Sequence, residues 1–251
     1  MSKSIICTTY FSQKKHPNDP NDQWVVGKND DGRVLQNDIK YIFPWYNSLN
    51  SLGLNGVVFY DNLTSDFINT YQNDNIQFIK VNTSEYSNND WRFFVYRNFL
   101  KDKNYDSVFL TDGSDVTVVQ NPHNILHEYQ DIDYFICKDS INLADFPYIN
   151  LHKQVGWNNY QWFAMQHLQR KLDLINMGVI GGSYSNMLDF LDKFCSVRTE
   201  MGIPDFNADM WVGQYVFRHL LSDKKILLGP PFTSDFKKYQ QDRKDVYFIH
   251  K

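Results

Sequence analysis

Apolar residues fall along this chain in two alternating rhythms, short continuous runs and longer stretches where they return at helical spacing, and their order predicts the fold class. The stretch 1–11, with Ile5-Ile6-Cys7 at its centre, reads as a first strand, Val57–Tyr60 as a second, Ile76–Val81 as a third and Val108-Phe109-Leu110 as a fourth. Leu35, Ile39, Ile42, Tyr46, Leu49 and Leu52 recur at helical spacing, with Pro44 expected to kink or divide that helix. Trp91–Leu100 reads as the helix leading into the fourth strand, and Ser12–Arg33, rich in turn residues, as a long flap or insertion. Later come a strand at Val116–Val119, a helix over 122–129, a strand at Tyr134–Cys137 and a strand over 173–182 that closes on a glycine-rich turn. Helices are expected over 184–198 and 205–221, while 139–162 reads as loop. The βαβαβαβ alternation predicts an α/β domain with a mostly parallel, mixed central sheet flanked by helices on both faces.

No repeat, low-complexity tract or linker divides the 251 residues, so one domain over 1–251 is expected. A net charge of −4 without a basic block argues against a nucleic-acid polymer or an anionic membrane as the main partner and favours a small ligand. Cys7, Cys137 and Cys195 lie far apart without a CxxC spacing, which argues against a disulfide framework or a zinc site and for a reducing compartment. The first residues hold too short an apolar stretch for a signal peptide and no segment approaches a membrane span, so a cytoplasmic location is expected. The glycosylation-like triplets at Asn62 and Asn82 carry no weight without a secretory signal. Aromatics make up 16% of the chain, a content that suits sugar or base stacking as well as ordinary core.

The chemistry gathers after the fourth strand, where Asp112 and Asp115 flank the small pair Gly113-Ser114. In an open α/β sheet the carboxyl ends of the strands face the ligand crevice. Two carboxylates that close repel each other unless a cation lies between them, and hard oxygen ligands suit Mg²⁺ or Mn²⁺. An Asx-turn, with Asp112 capping the reversal at Gly113, is the plainer alternative. Two further features follow in order: Asn176-Met177-Gly178-Val179-Ile180-Gly181-Gly182, and His250 near the chain's last residue, Lys251.

Acids, asparagine–glycine strand and late histidine together resemble the GT-A class of glycosyltransferases over nearly the whole chain. The DxxD spacing looks closest to collagen-hydroxylysine-type glycosyltransferase domains and to small GT-A enzymes of large DNA viruses, and a residue usage rich in Asn, Lys, Ile and Tyr fits a viral or bacterial source. The resemblance implies a single GT-A, Rossmann-like domain with a nucleotide-binding half over 1–115 and an acceptor-binding half over 116–251. It implies Mn²⁺ or Mg²⁺ held by Asp112, Asp115 and His250. A nucleotide-sugar donor, with UDP favoured, would lie against Thr8, Thr9, Tyr10, Arg97, Asp112, Gly113, Asn176, Gly178 and Lys251. Asp209 would stand on the acceptor side, deprotonating the attacking hydroxyl in an inverting transfer or orienting the sugar in a retaining one. A glycan or glycoprotein acceptor is implied, with the aromatic loop from Phe146 to Phe163 as its surface, and no protein partner is expected. Plainer readings stand beside these: Thr8, Thr9 and Tyr10 as core-facing strand residues, Arg97 as surface charge, Asp209 as a helix-start acid. An inactive carbohydrate-binding protein on the same fold is the main rival. A nucleotidyltransferase or phosphatase loses ground, because Thr8-Thr9-Tyr10-Phe11 lacks a phosphate loop's glycine and lysine and the acids do not follow the first strand.

Overall fold

The computed structural model describes residues 3–15, 32–145 and 171–251, and within them the apolar runs of the first half become adjacent parallel strands. These are β1 (Ser4–Tyr10), β2 (Gly56–Tyr60), β3 (Ile76–Lys80) and β4 (Ser107–Thr111). Every residue of β2 and β4 is buried, as strands covered by helices on both faces must be. β6 (Tyr134–Asn142), β7 (Asp173–Ser183) and β8 (Ile226–Leu228) complete a seven-stranded sheet of order β3-β2-β1-β4-β7-β6-β8. Pairing is parallel except on both edges of β7, which gives the mixed, mostly parallel sheet expected. β5 (Val116–Val118) and β9 (Phe248–His250) form a separate two-stranded ribbon.

Each face of the sheet has its own core. On one side α3 (Asn88–Leu100), α5 (Tyr184–Glu200) and α6 (Asp209–Tyr215) pack through Phe93, Phe190, Phe194 and Trp211. On the other, α1 (Phe43–Leu52), α2 (Ser65–Tyr71), α4 (Ile125–Glu128) and the ribbon pack through Trp45, Leu49, Phe109, Phe135 and Phe248. Among the described residues no helix is long and apolar enough to cross a membrane.

Several elements differ from the sequence expectation. Pro44 opens α1 instead of kinking it: a short 3₁₀ turn over Ile39–Tyr41 precedes the helix, and the first turn needs no N–H from the proline. The 205–221 helix starts only at Asp209 and widens into a π-helical turn over Val216–Leu220. α2, β8 and β9 were not foreseen; α2 is capped by the Thr64 hydroxyl, which accepts the Phe67 N–H.

The register between β6 and β7 slips beside the future site. Ile136 pairs with Ile180 but Cys137 pairs with Asn176, so Met177, Gly178 and Val179 arch away from β6 while Val179 stays paired with Thr111 of β4. Bulges of this kind bend a strand locally and recur next to active sites. Beyond the arch, Gly181 lies flat against Phe109: a methyl group there would stand 3.0 Å from the ring's Cγ and closer still to its edge. Gly181→Ala is therefore expected to lower stability in urea unfolding by about 1–3 kcal/mol through overpacking, and an unchanged midpoint would mean that the ring moves aside freely.

Candidate functional site

Asp112 follows the last residue of β4 and Asp115 precedes the first of β5, so both acids stand at the carboxyl end of a central strand. The turn between them lies on the end of β1. A side chain at Gly113 would press on the Thr8 hydroxyl at 3.0 Å and on the Thr9 carbonyl at 3.2 Å. Ribbon pairing supplies the third group, because His250 sits opposite Val116 and the Lys251 N–H donates to the Asp115 carbonyl at 3.1 Å. Ser234 fixes the same backbone, accepting the His250 N–H at 2.9 Å and donating to its carbonyl at 3.2 Å.

The imidazole Nε2 lies 3.5 Å from Asp115 Oδ2 and 3.6 Å from Asp112 Oδ2. One ligand atom from each of the three residues falls within 4.8 Å of the others. Gly178, on the arch of β7, makes this approach possible: a Cβ there would stand 2.6 Å from Asp112 Oδ2 and 2.8 Å from His250 Nε2. Two buried atoms of the trio, His250 Nε2 and Asp115 Oδ1, have no hydrogen-bond partner. Buried polar atoms are nearly always satisfied, so the pair fits a cation, and one imidazole with two carboxylates is a donor set compatible with a divalent metal. Burial disfavours charge on His250 most strongly of any single cause, but the charges and hydrogen bonds of Asp115 and Cys137 together outweigh it and the imidazole is pushed up to about 10. A proton on Nε2 thus fills the place a metal would take.

Arg92 ties these acids to a third. Its guanidinium contacts Asp112 Oδ1 and donates to the Met177 carbonyl at 3.2 Å and to Asp209 Oδ2 at 3.1 Å. Because Arg92 holds Oδ1, Asp112 offers Oδ2 to the space shared with His250. The helix phase explains why this arginine is the inward one: Asn88, Arg92, Tyr96 and Leu100 form one buried row along α3. Arg97, the residue the sequence reading assigned to the donor, lies off that row and pairs with Asp192 of α5 at 2.5 Å with 45% of its side chain exposed, so the structure does not bring it to the acids. Asp209 is 4% exposed, and its other oxygen accepts the Met210 N–H at 2.8 Å. Burial raises its pKa against the opposing charge of Arg92.

The segment that delivers Asp209 is held by a fully buried ion pair that sequence reasoning missed. Arg198 of α5 lies 3.2 Å from Asp90 and donates to the carbonyls of Ile203, Pro204 and Phe206. Asp90 in turn accepts the Ala208 N–H at 3.1 Å.

The remaining predicted residues are placed as follows. Asn176 is buried; its side-chain Oδ1 accepts the Gly178 N–H at 2.8 Å and its Nδ2 donates to Asp139 at 3.2 Å, so it braces the arch and brings a further buried acid near the site. Thr8 donates to the Thr111 carbonyl at 3.0 Å. The Tyr10 hydroxyl lies 2.5 Å from the Leu35 carbonyl and accepts the Asp38 N–H at 3.0 Å. Both side chains are fully buried, as the core-facing alternative had them, and Thr9 alone of the three keeps some exposure. Lys251 is half-buried beside the ribbon. The aromatic loop from Phe146 to Phe163 lies outside the described residues, as do residues 16–31 of the early loop.

No protein-family model matches the chain, and no curated protein sequence matches it. Solved structures do. An active-site mutant of LgtC shares 12% identity over 98% of this chain and 86% of its own, with a TM-score of 0.54. The galactosyltransferase LgtC in complex with donor and acceptor sugar analogs gives the same identity and coverage at a TM-score of 0.50. A glycosyltransferase involved in glycosylation of the major capsid of PBCV-1 shares 15% identity over 99% of this chain and 92% of its own, with a TM-score of 0.47. The likeness to LgtC shows the fold: this chain is a GT-A, Rossmann-like α/β domain.

The charge on His250 has a testable sign. Its proton is held to about pH 10 in the folded protein but is lost near the ordinary value of 6.5 when the chain unfolds. The charged ring therefore contributes stability that is fully present below about pH 6.5 and disappears as pH rises towards 10. Urea unfolding of the metal-free protein is expected to show a gap between wild type and His250→Gln that narrows between these two pH values. A gap that holds constant or widens would mean that the folded imidazole is neutral.

Proposed function

We propose that this chain is a divalent-metal-dependent glycosyltransferase that moves a sugar from a nucleotide-sugar, with UDP the favoured nucleotide, to a hydroxyl of a sugar or glycan acceptor. The observation that carries the reading is the convergence of Asp112, Asp115 and His250 at the carboxyl end of β4, with two of their buried ligand atoms left unpartnered. Support comes from the fold, which it shares with a galactosyltransferase solved with donor and acceptor sugar analogs.

In this reading Asp112, through Oδ2, Asp115 and His250 hold Mn²⁺ or Mg²⁺. The ion supplies Lewis-acid stabilisation of the negative charge that a nucleoside diphosphate gains as it departs. The chain's own groups do the rest. Thr9 and the backbone at Gly113 border the donor's nucleotide, in place of the buried Thr8 and Tyr10 side chains. Arg92 replaces Arg97 as the basic residue of α3 nearest the donor, and it keeps Asp112 fixed before any ligand arrives. Asp209 has both oxygens engaged, which favours an orienting role, exerted through Arg92, over direct deprotonation of the acceptor. Gly178 and Asn176 shape the floor on which the transferred sugar rests, with Asp139 beside them. Lys251 stands near the phosphates, and residues after 115 supply most of the acceptor side.

Calorimetric titration of UDP and GDP with and without Mn²⁺, on wild type and on Asp115→Ala, tests this reading. UDP is expected to bind only in the presence of Mn²⁺ and to lose that binding in the variant. If neither nucleotide binds under any condition, the donor site is overturned in favour of a glycan-binding protein whose acids shape a turn.

A further inference from the structure

The imidazole of His250 is held on three sides, and only one of the three contacts is polar. Phe236 covers its face at a centroid distance of 4.3 Å. Gly178 closes the edge that carries Cε1 and Nε2, where no side chain would fit. At the remaining nitrogen, Nδ1, stands the thiol of Cys137, with Sγ at 3.3 Å and both residues buried. The sulfur also lies 3.6 Å from the Lys138 carbonyl, in position to donate to it. Of the two ring orientations related by a half-turn about the bond to Cβ, only the one present puts a nitrogen against sulfur, and the same one turns Nε2 towards Asp112 and Asp115.

We propose that Cys137 is a positioning residue for the metal ligand His250: the Nδ1–H donates to Sγ, the thiol S–H donates to the Lys138 carbonyl, and Nε2 is thereby left facing Asp112 and Asp115 as the ligating atom. This rests on the metal-site reading above. Metal-ligating histidines generally donate their second ring N–H to a fixed acceptor, and loss of that acceptor weakens metal binding about 10–100-fold. The acceptor here is sulfur, supplied by the residue of β6 opposite the arch that carries Gly178. The same register slip thus frames both edges of the ring. It also gives a role to one of the three cysteines that their spacing left without one.

The test uses the full chain with Cys137→Ala and Cys137→Ser. Mn²⁺ affinity is read from the electron paramagnetic resonance of the free ion, and the His250 Nδ1–H from the nitrogen-15 spectrum of histidine-labelled protein, with and without saturating Mg²⁺. Cys137→Ala is expected to weaken Mn²⁺ binding about 10–100-fold and to lose or shift the Nδ1–H signal. Cys137→Ser, whose hydroxyl can both accept and donate, is expected to recover most of each. Wild-type affinity and an unchanged signal in Cys137→Ala would overturn the proposal. So would equal losses in the two variants, which would reduce the thiol to packing. If wild type itself binds no Mn²⁺, the metal reading fails and takes the ligand role of His250 with it; an Nδ1–H signal that still responds to Cys137→Ala would then uphold the orientation of the ring by sulfur alone.

Discussion

Two carboxylates brought to the end of one strand repel each other, and the architecture around β4 works to hold them together. Asp112 and Asp115 are fixed by a short turn with little room for a side chain at Gly113. At 4 Å, two like charges cost about 4 kcal/mol at the dielectric typical of a protein surface, so the pair needs compensating positive charge. The chain provides it twice. Arg92 approaches Asp112 from the α3 side, and His250 approaches both acids from the ribbon. The arginine is permanent charge, whereas the charge on His250 depends on a proton that its neighbours hold in place.

That organisation reaches into the core on both sides of the sheet. Arg92 is held between Asp112, the Met177 carbonyl and Asp209, and the segment preceding Asp209 is clamped by Arg198 and Asp90. Isolated charges buried this deeply would be severely destabilising, but here Arg92 meets two carboxylates and a carbonyl, and Arg198 a carboxylate and three carbonyls. The hydrophobic packing of α3 against α5 and the geometry of the acids are thus parts of one construction. On the opposite face, the ribbon that carries His250 rests on Phe109, Phe232 and Phe135. Core and site share residues such as Phe109, which packs against Gly181 and Phe248.

The sequence made the central strands legible because they are buried on both faces and so appear as unbroken apolar runs; β1, β2 and β4 lie where they were expected. The acids were legible for a related reason, since a charged turn that stops such a run must sit at the strand's carboxyl end. Helix phase was harder to read. Arg92 and Arg97 stand on the same helix, and only the buried row from Asn88 to Leu100 tells which one turns inward. β9 is three residues long and owes its existence to pairing with a distant partner, β5. Asp139, Asp90 and Arg198 gave no signal at all, because a buried charge looks like an exposed one until its tertiary partners are known. Pro44 could stand within a helix or at its start, and the 3₁₀ turn ahead of it decided for the start.

If the proposed reading holds, Asp112, Asp115 and His250 form one cation site. Anomalous diffraction at the manganese edge, from crystals of this protein grown with Mn²⁺ and UDP, addresses it directly. A single strong peak is expected within ligand distance of Asp112 Oδ2, the Asp115 carboxylate and His250 Nε2. A map with no peak there, or with His250 turned away from the ion, would contradict that reading.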